Sequence, residues 1–269
     1  MEPLVVRLSR HVWLHRVVGT LRIYPLAGFL LRRLPLRRRM KDCGLRYRVT
    51  SLDQLITEHE LFGAQTYLPA LGDRAIETFA DIGCNSGWFA LWLACIRPNG
   101  GRMGLLVDAH PWMAAEAAWH VKENRLGNLV VVRGAVGRPA SATTADFYVQ
   151  PASSGSSLLP HQPRMQLPLK GKQMRLVVPT VSVEQAWRSA FEGRHIDLLK
   201  VDIEGSELDL FRTEEAFISK TVAHIVVEWH KWSVGLPELD LQLGRMGFDR
   251  TGVFHETSLA GLAAYDRRS

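Results

Sequence analysis

DIGCNSG, residues Asp81 to Gly87, follows an apolar run that begins near Ile76, and its reading decides the fold. A strand that ends on an acidic residue and turns through glycines into an apolar helix is the first βα unit of a doubly wound sheet. Glycine is needed there so that the backbone can approach a ligand closely. The spacing of Gly83 and Gly87 is not GxGxxG, and no Lys-Ser/Thr pair closes the turn as in a phosphate loop. The turn therefore suits a ligand without phosphates.

Outward from the turn, apolar periodicity predicts a helix over 88–96, a strand over 103–107, a helix over 112–125 and a strand over 129–133. A long irregular stretch over 140–179 reads as a loop or lid, with the Ser- and Gly-rich PASSGSSLLP at 151–160 as its mobile part. The rhythm resumes with a helix over 183–191, a strand over 196–201, a helix over 206–218 and a strand over 223–227. A helix over 237–246 and strands over 248–254 and 262–265 follow, the last two close enough to pair antiparallel. Such alternation predicts an α/β fold with a doubly wound, mostly parallel, seven-stranded sheet.

The second strand ends at Asp108, where a carboxylate can accept hydrogen bonds from ribose hydroxyls. Asp81 is placed for a positively charged ligand end. Taken singly, Gly83 and Gly87 could merely cap a helix and Asp108 could start one. Together, at strand ends and at this spacing, they point to S-adenosyl-L-methionine.

The segment DLLKVDIEGSE at 197–207 breaks a rule, because a central parallel strand covered on both faces should be continuously apolar. With a period of two, Lys200, Asp202 and Glu204 would share one side if the strand persists that far. A Lys200–Glu204 ion pair is the structural alternative. The next strand, IVVEWH, also ends polar, with Glu228 and His230 on one side. Lys200, Asp202, Glu228 and His230 are the catalytic candidates. Asp202, Glu228 and His230 are either a general base for a hydroxyl or the ligands of a divalent cation such as magnesium. The [DN]PP[YF] turn expected of an exocyclic-amine methyltransferase is replaced here by DIEG.

Composition sets the frame. A chain of 269 residues with 46% hydrophobic and 22% charged residues is a folded globular protein, compatible with one elaborated domain. The net charge of +6 is uneven: residues 1–48 carry 12 Lys/Arg against Glu2 and Asp42, leaving 21 against 25, or −4, for the rest. That asymmetry argues against a nucleic-acid-binding cleft. The reading is a basic N-terminal helical extension over 1–60 and a catalytic domain over 61–269. Arg32, Arg33, Arg37, Arg38, Arg39 and Lys41 follow the apolar LAGFLL and could contact an anionic membrane surface peripherally. No apolar stretch approaches the roughly 20 residues of a membrane span, and no secretory signal is recognised. Three cysteines without CxxC spacing indicate neither a disulfide framework nor a zinc site, which fits a reducing cytoplasm.

DIGCNSGWFA, NRLGNLVVVRGAVG, the SSGSSL loop, LLKVDIEGSE and the Glu228-x-His230 pair resemble the FkbM family of methyltransferases over roughly 61–232. The resemblance implies a class I methyltransferase fold and methyl transfer, usually to a hydroxyl of a sugar or secondary metabolite. By that likeness Asp81, Gly83, Cys84, Asn85, Gly87, Asp108 and Ala109 match cofactor positions, Gly134 and Ala135 match the adenine-side loop, and Tyr67 is a further cofactor candidate. Lys200, Asp202 and Glu228 match the polar active edge. Two departures stand out. Asp108-Ala109-His110 replaces the family's Glu-Pro after the second strand, and Thr180-Val181-Ser182 replaces TLD before the next helix. The expected acceptor is a small hydroxylated molecule. The alternatives are an RNA or protein methyltransferase docking through the basic arm, or a non-catalytic binding module on the same fold. Oligomeric state has no signature in the sequence.

Overall fold

The computed structural model describes residues 29–97, 103–150, 155–160 and 173–268. It begins with a helical turn at 29–33, the strands β1 (Leu36–Arg39) and β2 (Arg46–Val49), helix α1 (Gln54–Glu58), a π-helical turn (His59–Gly63) and α2 (Leu68–Leu71). The βα units follow as β3 (Thr78–Ile82), α3 (Trp88–Ile96), β4 (Met103–Asp108), α4 (Pro111–Glu123) and β5 (Leu129–Arg133). Next come β6 (Thr144–Val149), β7 (Met174–Pro179), α5 (Val183–Phe191), β8 (Ile196–Val201), α6 (Glu207–Thr213), α7 (Glu215–Thr221) and β9 (Val222–His230). The chain ends in α8 (Leu236–Arg245), β10 (Phe248–Glu256) and β11 (Ala260–Arg267).

The seven-stranded sheet has the order β10-β11-β9-β8-β3-β4-β5, with β9, β8, β3, β4 and β5 mutually parallel and β11 antiparallel to both of its neighbours. From β3 the chain winds one way to β4 and β5, then crosses back to build β8 and β9 on the other side. That reversal opens a crevice at the C-terminal end of β3, where a doubly wound sheet binds its ligand. DIGCNSG lies there.

Alternation along the strands sorts side chains onto two apolar faces. Ile82, Val107, Leu199, Val201, Ile225 and Val227 pack with Trp187 and Phe211 on one face. Phe79, Leu106, Leu198 and Val226 pack with Trp88, Phe89 and Trp92 on the other. Asp81 and Lys200 are register partners, and Lys200 is in turn paired with Val226, so both charges lie on the side of Phe79, Leu198 and Val226. Burying an ion without a partner costs several kcal/mol or more. Two adjacent strands therefore solve each other's problem.

Several expectations are corrected. The stretch 140–179 is not simply irregular: β6 and β7 pair antiparallel, with Phe147, Val149 and Val178 buried against Ala135 and Leu158. Their period of two is short and is separated by a Ser-, Gly- and Pro-rich stretch whose residues 151–154 and 161–172 lie outside the described residues. The helix over 206–218 is two helices meeting at Glu214, whose carboxylate turns aside to accept the amide N–H groups of Val183 and Glu184 at the start of α5. In the extension, residues 1–28 lie outside the described residues, and 36–49 forms a β-hairpin rather than helix. That hairpin is built into the fold. Arg48 N–H donates to His120 Nε2, His120 Nδ1–H donates to Ser86 O in the glycine turn, and Tyr47 packs edge-on against Trp88.

Cys43, in the turn between β1 and β2, forms a disulfide with Cys95 near the end of α3, their Cα atoms 5.3 Å apart. The odd cysteine count concealed this pair because parity says nothing about proximity across 52 residues of chain. The cysteine argument for a reducing compartment falls with it. No helix among the described residues is long and apolar enough to cross a membrane.

Candidate active site

The turn after β3 is shaped by backbone. Gly83 and Gly87 adopt positive φ, 79° and 75°, and Asn85 joins them at 49°. A Cβ on Gly83 would overlap the carbonyl oxygen of Asp202, so only glycine lets the turn lie against the end of β8. Gly83 and Cys84 donate their amide N–H groups to Val107 O, which ties the turn to β4. The Cys84 thiol is buried; burial, Asp108 and Asp81 push its pKa well up, so it packs as a neutral group rather than a nucleophile.

Asp108 ends β4 with its carboxylate accepting two amide hydrogen bonds, from Asn85 at 2.7 Å and from His110 at 2.7 Å. Burial nevertheless pushes it up to about 6. Each carboxylate oxygen has a second lone pair, which leaves capacity for ribose hydroxyls. Gly134 donates its N–H to Asp108 O, and Ala135 pairs with Thr180 and Val181, so the adenine-side candidates do line up beside Asp108. Ala109 packs on the cluster containing Phe147. Ser182, in place of the family's Asp, accepts the Gln185 N–H as N-cap of α5, so that departure has a helix-capping role.

Asp81 is fully buried. Its Oδ1 lies 3.0 Å from Lys200 Nζ, and Oδ2 meets no hydrogen-bond donor among the described residues. An unsatisfied buried carboxylate oxygen beside a glycine-walled crevice fits the cationic end of S-adenosylmethionine, with Asp108 fitting its ribose. These residues would hold the cofactor.

Lys200 Nζ also lies 3.6 Å from Asp202 Oδ2 and donates to Gly83 O at 3.1 Å. Burial opposes its charge, but Asp81, Asp202 and Glu228 together raise its pKa and hold it as a cation. The expected alternation stops early. β8 ends at Val201, and Glu204 and Gly205 turn through positive φ, 51° and 96°, so Glu204 leaves the Lys200 side. The structural alternative of a Lys200–Glu204 pair does not form; Glu204 Oε2 sits 3.2 Å from His230 Nε2 instead.

One oxygen each of Asp202 and Glu228 and one ring nitrogen of His230 lie within 4.8 Å of one another, so the structure does bring the predicted trio together. Their environments differ. Glu228 is pushed up to about 8 by burial and by the neighbouring Asp202 carboxylate, and its Oε2 accepts a hydrogen bond from Tyr67 OH at 3.1 Å. Tyr67 thus lies at the polar end of β9, with Lys200 Nζ 6.0 Å from its ring centroid. His230 has carboxylates on both nitrogens, Glu207 Oε1 on Nδ1 at 2.7 Å and Glu204 on Nε2. Burial opposes its protonation, but the two carboxylates outweigh it and raise its pKa well above the usual value. An imidazolium has no lone pair for a metal, so this arrangement does not support His230 as a ligand of a divalent cation.

Three contributors were missed in the sequence. Glu207, from the same LLKVDIEGSE segment, is buried and holds both Gly205 N–H and His230. Ser157, in the Ser-rich loop, donates to Glu204 O at 2.6 Å and pairs with Tyr148 of β6, which fastens the loop to the active edge. Glu60, on the π-helical turn, faces Asp202, and burial together with that charge pushes it up to about 7. A π-turn often marks a functional position, but nothing in the local sequence announces one.

Solved structures of known proteins give low-identity likenesses. TrmK of M. capricolum in complex with S-adenosyl-homocysteine is 10% identical with TM-score 0.42, over 71% of this chain and 62% of that one. The chain thus spans a little under two thirds of that protein. A SAM-dependent methyltransferase from Aquifex aeolicus is 11% identical with TM-score 0.45, over 80% and 97% of the two chains. Methyltransferase FkbM from Methylobacillus flagellatus KT is 13% identical with TM-score 0.46, over 71% and 43%. No curated protein sequence matches the chain. The methyltransferase FkbM domain model matches residues 81–250, from the glycine turn through both polar strand ends to the start of β10, and the chain belongs to the FkbM family of S-adenosylmethionine-dependent methyltransferases.

Proposed function

We propose that this methyltransferase acts on oxygen, at a hydroxyl of a small polyhydroxylated acceptor such as a sugar or secondary metabolite. The convergence of Asp202 and Glu228 at adjacent strand ends, beside the glycine turn, carries the reading. When bound, S-adenosylmethionine supplies a sulfonium methyl group for in-line displacement. An alcohol must lose its proton as its oxygen is methylated, and a positioned carboxylate is the group for that task.

Burial, and after it the neighbouring Asp202 carboxylate, disfavours a negative charge on Glu228. With Glu228 pushed up to about 8, it keeps its proton at neutral pH and can donate a hydrogen bond to the acceptor oxygen. Asp202, paired with Lys200, takes the hydroxyl proton. Tyr67 orients Glu228, while Glu204, Glu207 and His230 fix the loop that carries Asp202.

The test is incubation with S-adenosylmethionine and a panel of monosaccharides, polyols and phenols, set beside amines, RNA and protein. S-adenosylhomocysteine release and NMR of the product report the outcome. An O-methyl ether from the hydroxylated set is expected; methylation confined to nitrogen or to polymers would overturn the reading.

A further inference from the structure

Among residues 29–43 all but Leu31, Pro35 and Met40 are exposed. Phe29 is 55% exposed, Leu30 47%, Leu34 74% and Leu36 44%, an unusual run of bare apolar side chains on a folded protein. Arg32, Arg33, Arg37, Arg38, Arg39 and Lys41 are interleaved with them, against the single acid Asp42. Arg33 lies over the Phe29 ring, 5.1 Å from its centroid, and among the described residues only Arg38 of these cations meets a carboxylate, that of Glu58. Behind β1 opens a cavity of about 460 Å³ with Arg38 and Lys41 among its lining and Phe62, Trp92 and Ile96 among its apolar walls.

We propose that this face docks on an anionic lipid bilayer, with the leucines and Phe29 entering the interface, the arginines pairing with head groups, and the cavity admitting part of one lipid. Aliphatic side chains set among cations complement such a surface. A nucleic acid would leave the leucines without a partner. The face also borders the site. Arg32 is near enough to His110, two residues past Asp108, to lower its pKa, and Phe62 shares the π-helical turn with Glu60. Docking there sets the crevice close to the lipid surface.

The test is co-sedimentation of the full chain with vesicles of mixed phosphatidylglycerol and phosphatidylcholine, and with phosphatidylcholine alone, at low and high salt. The wild type is expected to partition onto the anionic vesicles and to be released by salt. The combined change Arg32→Glu, Arg33→Glu and Arg37→Glu should lower partitioning at least about tenfold. Arg188→Glu, Arg194→Glu and Arg212→Glu, an equal charge change elsewhere, should not. Leu34→Ser with Leu36→Ser should weaken binding severalfold while keeping its salt dependence, and matched melting curves check the fold of each variant. Absence of wild-type binding, or equal losses in the two charge-reversed variants, would overturn the proposal. Should the first variant fold poorly, the leucine pair and the wild-type salt response decide alone.

Discussion

The glycine turn after β3 and the polar ends of β8 and β9 face one crevice, but they are made differently. The turn is backbone: positive φ at Gly83, Asn85 and Gly87, and amides anchored on Val107 and Asp108. The strand ends are a side-chain network in which every charge is defined by its neighbours, Lys200 by Asp81 and Asp202, His230 by Glu204 and Glu207, and Glu228 by Asp202 and Tyr67. A site built from backbone binds whatever fits its shape. One built from coupled charges sets which proton moves, so the two regions are expected to fail in different ways.

The largest difference should come from Asp202→Asn. With any acceptor that the wild type turns over, kcat should fall by about 10²–10⁴ because the proton acceptor is gone. The affinity for S-adenosylmethionine, measured by calorimetry, should stay within severalfold. A variant that loses cofactor binding in step with turnover would erase the separation between turn and edge.

Gly83→Ala tests the one place where the two regions touch. Its Cβ would overlap the Asp202 carbonyl, so either the turn or the end of β8 must move; a loss of about 1–3 kcal/mol in denaturant unfolding, with weaker cofactor binding and lower turnover together, is expected. Gly87→Ala should cost less. There the added carbon meets Ala117 Cβ at 3.1 Å, a Leu106 methyl at 3.2 Å and Ala117 Cα at 3.3 Å, tight contacts but not the overlap found at Gly83. Equal costs at the two glycines would mean that the contact with Asp202 has no special weight.

A pH profile reaches the edge without disturbing the turn. If Glu228 works as a hydrogen-bond donor, kcat should fall as pH rises through about 8, where its proton leaves and a second negative charge appears beside Asp202. Glu228→Gln keeps a donor that cannot ionise. It should retain activity within roughly tenfold at neutral pH and lose the alkaline limb. Persistence of the limb in that variant would assign the titration to another group, with Glu60, pushed up to about 7, the next candidate.

The two regions were also unequally legible. The turn could be read from seven residues because glycine at positive φ is a local demand, and the parallel strands showed as apolar runs with the observed starts and ends to within a few residues. Parity put Lys200 and Asp202 on one side, and the two lie 3.6 Å apart. It failed at Glu204, because a period of two holds only while the strand lasts and the backbone turns directly after Val201. Partners of His230 and Asp202 were hidden for another reason: Glu207, on His230, starts a helix 23 residues away, and Glu60, facing Asp202, arrives from a turn with no covalent proximity to either strand. Cys43 and Cys95 repeat the lesson at the disulfide. Local backbone requirements are written in neighbouring residues, while side-chain networks are written in the packing.

The smallest expected effect separates two chemistries that the sequence left open. Asp202, Glu228 and His230 are near enough to surround a cation, and a metal would take the place of the shared proton as the agent that lowers a hydroxyl pKa. A metal-binding histidine must present a neutral nitrogen, and releasing either one here would leave Glu204 or the fully buried Glu207 without its partner. Turnover should therefore change less than about twofold after dialysis against a chelator or on adding magnesium. A loss of activity restored by magnesium would show that His230 abandons one of its carboxylates, and the edge would then have to be redrawn around the cation.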